Sequence, residues 1–271
     1  MSLILCRQEP VKTPYYFESL GVRIYSSQEL CYVIYNNPLL VMEGFIDKTL
    51  IAFIRNELDM EFLAAKLEKW QQSGENEEGL LAVILQECGY YHGAEINRFR
   101  QQVAGLKKLP PHEFLKEKAD CLFSRRLYGK AVKEYQRLLE LPASTGMEDG
   151  FLARVYNNLG ASYARLFMTG RAYQAYQKSF DLAKNSEVLK RICYLALWKP
   201  ELPISERFQA LLTEELKQEC SRELKKAEEE AGKAKSLQEL DELFLKDPIK
   251  RLGGAGELVQ KWKTQYRNIM S

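Results

Sequence analysis

GKAVKEYQRLLEL, residues Gly129–Leu141, returns 41 positions later as GRAYQAYQKSFDL, residues Gly170–Leu182. Two copies of one pattern at a fixed spacing indicate a repeat architecture, in which each copy forms one structural unit and neighbouring copies bury a shared core. This repeat is the feature from which we predict the fold.

Each copy carries a small residue four positions before an aromatic one. Ala131 precedes Tyr135, and Ala172 precedes Tyr176. Residues four apart lie on one face of an α-helix, so a second helix can approach closely over the alanine and contact the ring. The same register continues upstream and predicts a helical hairpin in each copy. The upstream positions that match are Leu115 with Tyr156, Ala119 with Gly160, and Leu122 with Tyr163.

These positions resemble the tetratricopeptide repeat (TPR) family, whose pattern runs aromatic, x2, Leu-Gly, x2, Tyr, then Ala, x3, Phe. The second copy matches it with Tyr156, Leu159, Gly160, Tyr163, Ala172 and Tyr176. The first copy departs from it at Lys118 and Leu122, and the resemblance covers residues 112–184. The period exceeds the family's ~34 residues, and the polar linker Ala143–Asp149 accounts for the surplus.

The resemblance implies an all-α fold in which antiparallel helical hairpins stack as a right-handed superhelix. In that family the first helix of each hairpin lines a concave groove that takes an extended peptide or a helix. Carried over by register, the residues expected to bind a partner are Lys116, Asp120, Phe123, Arg154, Asn157, Asn158 and Arg165. Arg and Asn suit this role because they donate hydrogen bonds to peptide carbonyls, and Asn also accepts them.

Some members of that family hold a C-terminal carboxylate with Lys and Asn residues from three repeats. Lys116 and Asn158 match two of those positions, but Asp120 stands where the clamp needs an Asn, and its charge opposes a carboxylate. Lys190 and Arg191 lie near the corresponding part of a third, degenerate repeat. The sequence therefore favours a groove for some partner segment over the carboxylate clamp.

Residues 1–108 are predicted to form a mainly helical N-terminal domain, either a divergent continuation of the repeats or a separate cap. The β-favouring runs Tyr15–Phe17 and Val22–Tyr25 predict a short hairpin or extended arm, whose aromatic side chains we expect to pack on the following helices. The predicted helices cover 26–36, 47–58, 59–70, 77–87 and 94–106, with a break over 71–76. A capping box at Ser26 opens the first, the second is predicted to follow Asp47, and Asp59 is predicted to cap the third.

The repeats occupy 109–204, and a C-terminal region continues to residue 271. Ser205 is predicted to cap a long helix that runs to about Lys235. Its narrow apolar seam, set between interleaved Lys and Glu residues, suits packing along the repeats or a coiled-coil homodimer contact. Two further helices are predicted over 237–245 and 257–269, with a flexible glycine turn over 252–256 before the second.

Composition and charge exclude several classes of function. Through Pro110 the chain has 11 basic and 14 acidic residues, and afterwards 28 and 23, so neither part carries the basic excess of a nucleic-acid surface. The cysteines form no CxxC pair, which predicts reduced, mostly buried thiols. They stand at positions 6, 31, 88, 121, 193 and 220. With no secretory signal and no apolar run near ~18 residues, we expect a cytoplasmic protein without membrane contact.

Catalytic motifs are sparse. The two histidines, His92 and His112, lie at expected helix boundaries and are too few to build a metal site. The glycines before Glu257 match neither the phosphate-loop nor the dinucleotide spacing. We therefore expect no enzymatic activity, metal or cofactor.

The sequence leaves three functions open. The leading hypothesis is a protein-protein interaction module, an adaptor or scaffold that binds a partner segment in the TPR groove. The alternative is a peptide-responsive transcriptional regulator with a DNA-binding N-terminal domain, although an acidic excess before Pro110 gives phosphate little attraction. The third is a hydrolytic enzyme within the N-terminal region.

Overall fold

The structure is a computed structural model that describes residues 11–73, 77–142 and 146–270. Within these ranges an antiparallel two-stranded hairpin precedes fifteen α-helices, which confirms the predicted all-α fold with an N-terminal hairpin. The chain divides into two compact units, Met1–Cys121 and Leu122–Ser271. Cys6, residues 74–76 of the predicted break and residues 143–145 of the predicted linker lie outside the described residues.

The first unit contains both strands and the first six helices. They are β1 Tyr15–Phe17, β2 Val22–Ile24, α1 Ser27–Asn36, α2 Pro38–Val41, α3 Lys48–Asn56, α4 Glu61–Gln72, α5 Glu77–Glu87 and α6 Gly93–Lys107. Helix α7, Pro111–Ser124, continues from the first unit into the second. The second unit continues with α8 Tyr128–Leu139, α9 Asp149–Arg165, α10 Thr169–Ala183, α11 Ser186–Trp198, α12 Glu206–Leu211, α13 Glu214–Gly232, α14 Lys235–Phe244 and α15 Pro248–Met270.

The N-terminal hairpin packs on the helices that follow it, as predicted. The Phe17 ring meets Phe45 edge-on with the centroids 4.7 Å apart, and the Tyr15 and Phe53 centroids are 5.8 Å apart. One carboxylate oxygen of Glu57, just after α3, accepts backbone N–H bonds at 2.7 and 3.1 Å from the segment before β1. Ring contacts and these two hydrogen bonds together hold the hairpin on the first unit.

One of the two predicted caps of the first unit is confirmed, and α3 begins after Asp47 as predicted. Ser26 Oγ accepts a 3.1 Å bond from the backbone N–H of Glu29, and Asp47 caps α3 in the same way. The predicted cap at Asp59 is wrong, because Asp59 has a φ of 55° and Met60 is the residue that precedes α4. A left-handed residue closes the turn here, whereas an N-cap takes extended backbone angles. The short helix α2 was not predicted.

The small and aromatic residues of the repeats are buried in the second unit. Ala131, Tyr135 and Ala172 are 0% exposed and Tyr176 is 4% exposed. Gly160 of α9 packs against Tyr176 of α10, since a Cβ added to Gly160 would lie 2.6 Å from the ring. This contact between a small and an aromatic residue joins α9 to α10.

The predicted continuous helix from Ser205 to Lys235 is wrong. The chain leaves helical geometry at Leu212, and Thr213 Oγ1 accepts a 3.3 Å bond from the backbone N–H of Leu216 to cap α13. Leu212 is buried in a cluster with Cys193 and Cys220. Burial of Leu212 thus accompanies a break that apolar spacing alone did not reveal.

The predicted glycine turn before the last helix is also wrong. Helix α15 begins at Pro248 and includes all three glycines of that stretch. A Cβ on Gly254 would lie 2.5 Å from Leu243 Cδ1 of α14, so this glycine allows α14 and α15 to approach closely. The predicted helix over 237–245 is confirmed as α14.

Candidate functional site

Four of the predicted partner-binding residues lie along one side of α9. Arg154 and Arg165 are exposed, and Asn157 and Asn158 between them are half-buried. Spacings of three and four residues place side chains on one face of a helix. Positions such as Gly160, on another face, are buried. Helix α9 therefore presents a largely polar face beside a packed one.

Helix α11 adds a further arginine to this surface. Arg191 Nη1 donates a 2.7 Å hydrogen bond to Asn157 Oδ1, and Asn157 Nδ2 donates a 3.2 Å bond to Asn158 Oδ1. We call Arg154, Asn157, Asn158, Arg165 and Arg191 the α9 stripe. Its three ionisable members are all arginines, so the stripe presents three positive charges and ordered amide groups.

A buried tyrosine lies under part of the stripe. The Arg191 guanidinium is 6.0 Å from the Tyr176 ring centre. Burial raises the pKa of the Tyr176 hydroxyl, while the charges of Arg191 and Arg165 act in the opposite direction. The hydroxyl therefore stays protonated at neutral pH, and Tyr176 acts as a neutral packing group.

Phe123 lies in an aromatic cluster next to Arg165. The Phe123 and Tyr128 centroids are 5.3 Å apart with the rings inclined by 62°, and the Arg165 guanidinium lies 6.0 Å from the centre of Tyr128. Tyr128 was not among the predicted site residues. Its position just before the repeated Gly129 is the only sequence signal that could have indicated it.

Lys116 and Asp120 belong to the first unit and pair with each other. Lys116 Nζ lies 2.5 Å from Asp120 Oδ2, one turn along α7. The two side chains are 17% and 30% exposed, so the pair is partly shielded from solvent. The lysine that matches the carboxylate-clamp position thus already has an acidic partner.

Sequence reasoning missed a cleft of about 560 Å³ between α8, α9 and α10. Lys178 Nζ lies 5.2 Å from the centre of Tyr156, Arg171 lies 5.8 Å from the centre of Tyr163, and Gln136 donates a 3.0 Å bond to the Tyr163 hydroxyl. Helical spacing places Tyr156 and Tyr163 on the side of α9 opposite the stripe. Gln136 and Gln177 occupy matching positions in the two repeats, and both line this cleft. This match is the sequence signal that could have indicated the cleft.

Five cysteines are described and none forms a disulfide. Cys31, Cys193 and Cys220 are buried, and Cys88 and Cys121 are half-buried. Across the described ranges, no group of three or more His, Cys, Asp or Glu side chains is arranged to hold a metal ion.

The described helices are also too short or too polar to cross a membrane. The chain matches no protein-family model, and neither curated proteins nor solved structures show a significant match to it.

Proposed function

We propose that this chain is a protein-interaction module in which the α9 stripe binds an extended, acidic segment of a partner protein. As part of the proposal, residues 109–204 form TPR-like hairpins stacked as a right-handed superhelix. The buried Ala172 and Tyr176 and the close contact of Gly160 with Tyr176 support it, because small and aromatic residues are expected at such helix contacts.

The arrangement of charge on the stripe carries the proposal. Three arginines reach one surface from two helices, and the Arg191–Asn157 hydrogen bond fixes α11 side chains relative to α9 side chains. Guanidinium groups form strong, often bidentate hydrogen bonds with carboxylates. Complementary charge also speeds association and selects against basic partners. An acidic segment therefore matches the stripe better than a neutral or basic one.

The length of the stripe fits a short extended segment. Arg154 and Arg165 are separated by about 16 Å at the ~1.5 Å rise per helical residue, which about five residues of extended chain span at ~3.3 Å each. Carbonyls of such a backbone would face the Asn157 and Asn158 amides, and acidic side chains would face the arginines. Fixed side chains also lose less conformational entropy when the partner binds.

A random-sequence peptide display library, selected on the full chain, tests this proposal. We expect the selected peptides to be enriched in Asp and Glu. The Asn158→Ala/Arg165→Ala variant should bind them about tenfold more weakly, since arginine is enriched among the interface residues whose truncation costs ~2 kcal/mol or more.

Arg137→Ala is the matched control, because Arg137 is an exposed arginine on α8 whose side chain is 59% accessible. This variant should bind the selected peptides as tightly as the parent chain. Peptides without acidic enrichment, or equal weakening by both variants, would overturn the proposal.

A further inference from the structure

The turn between α14 and α15 exposes an unusual number of large apolar side chains. Phe244, Leu245, Ile249 and Leu252 are 59%, 86%, 84% and 79% exposed. We call residues 244–252 the α14–α15 apex. Isolated exposed apolar residues are ordinary on protein surfaces, but a group of this kind commonly marks an interaction site.

The apex is an ordered helical turn. Asp247 accepts a 3.0 Å hydrogen bond from the backbone N–H of Lys250 and so caps α15. The Arg251 guanidinium lies 6.0 Å from the Phe244 ring centre and donates a 3.1 Å bond to the carbonyl oxygen of Lys246. The first turn of α15 is thus held against the end of α14, and the apolar side chains of both helices are displayed together.

Basic residues accompany the apolar ones. Lys246, Lys250 and Arg251 lie within the apex, where the only acidic residue is the capping Asp247. Farther along α15, Lys261, Lys263 and Arg267 outnumber Glu257. Trp262 and Tyr266 of the same helix are 42% and 58% exposed. The C-terminal helix is therefore both amphipathic and basic.

We propose that the α14–α15 apex inserts into the headgroup region of an anionic lipid membrane. Helices with a basic face and Leu, Phe or Trp on the other face bind at such interfaces, where the apolar side chains enter the acyl boundary. Each Lys or Arg near an anionic leaflet adds roughly 1 kcal/mol of attraction. A turn with exposed apolar side chains can enter a fluid interface without a preformed pocket.

The charge argues against a second copy of the chain as the occupant. Two apices placed face to face would bring Lys246, Lys250 and Arg251 close to the same residues of the other copy, and like charges oppose contact. The proposal differs from our expectation of no membrane contact, which followed from the lack of a spanning segment. Binding at the surface requires only the apex.

Vesicle co-sedimentation of the full chain tests the proposal. The chain should bind phosphatidylcholine vesicles that contain about 30% phosphatidylserine, and binding to pure phosphatidylcholine should be at least about tenfold weaker. High salt should reduce binding to the anionic vesicles, because the attraction is screened. Equal binding to both vesicle types, or none to either, would overturn the proposal.

Variants localise the effect to the apex. Leu245→Ser/Ile249→Ser should weaken binding to the anionic vesicles about tenfold or more, since the membrane affinity scales with buried apolar area. Phe62→Ser is the control, because Phe62 on α4 is also largely exposed, at 74%, and should leave binding unchanged. If the apex variant retained vesicle binding, or altered only the oligomeric state in sedimentation velocity, the membrane assignment would be wrong. The apex variant should still bind acidic peptides at the α9 stripe. Failure of the membrane proposal can therefore be distinguished from failure of the proposed function.

Discussion

A β-carbon added to Gly160 would lie 2.6 Å from Cδ1 and 2.7 Å from Cε1 of Tyr176. The ring has little room to move, because Tyr176 is 4% exposed. Helices α9 and α10 therefore approach at a distance that a side chain at position 160 would prevent. This contact joins the two helices of the second repeat.

Replacement of Gly160 by alanine should destabilise the chain. Alanine is favoured over glycine within a helix by about 1 kcal/mol, but overpacking a buried site typically costs about 1–3 kcal/mol. We expect a net loss in the free energy of unfolding, measured by urea denaturation.

Gly170→Ala provides the matched control, because an added Cβ at Gly170 meets no heavy atom within 4 Å. This variant should be neutral or slightly stabilising. In a Tyr176→Ala background the cost of Gly160→Ala should fall, since the clashing ring is gone. An equal cost in both backgrounds would contradict the contact.

Features set by local rules could be predicted from the sequence. The Ser26 cap and the start of α3 after Asp47 follow from side-chain hydrogen bonds to nearby backbone groups, and the burial of Ala172 and Tyr176 follows from repeat register. A capping side chain acts over a few residues, and a repeat recurs along the chain. Both signals can therefore be recognised in a single sequence.

Features set by tertiary packing could not be predicted. The break before Thr213 accompanies burial of Leu212 among side chains of other helices, and Gly254 lies within α15 where Leu243 of α14 packs closely on it. Arg191 joins the stripe from a hairpin that lacks the repeat signature, so its hydrogen bond to Asn157 could not be derived from register.

Acidification should loosen the N-terminal segment. Hydrogen bonds from the Thr13 and Lys12 backbone N–H groups hold the pKa of Glu57 below its ordinary value of 4.5. A carboxylate with a lowered folded-state pKa stabilises the fold above its unfolded-state pKa, and this contribution is lost as pH falls through the folded value. We expect amide protection at Lys12 and Thr13 to decrease below about pH 4.5.

Glu57→Gln is the control for this effect, because glutamine keeps an acceptor oxygen but does not titrate in this range. In that variant, protection of the Lys12 and Thr13 amides should show no transition below about pH 4.5. A transition of the same size in parent and variant would assign the effect to another group.

The neighbouring thiols of Cys193 and Cys220 should resist alkylation. Burial raises the pKa of the Cys193 thiol. Burial, together with the neighbouring Cys193, raises the pKa of the Cys220 thiol to about 12. Because the thiolate is the reactive species, neither residue should react quickly with iodoacetamide in the folded chain at mildly alkaline pH. Mass spectrometry should find Cys88 and Cys121 labelled before Cys193 and Cys220, and all six cysteines of the chain labelled in denaturant. Rapid native labelling of Cys220 would contradict its burial.

Side-chain amide NMR of the full chain, titrated with a display-selected acidic peptide, tests the binding surface most directly. The NH₂ resonances of Asn157 and Asn158 report on the stripe, and those of Gln174 and Gln177 report on the cleft across α9. We predict that the peptide shifts the two asparagine signals and leaves the two glutamine signals in place. Shifts confined to Gln174 and Gln177 would place the partner in the cleft and contradict binding at the α9 stripe.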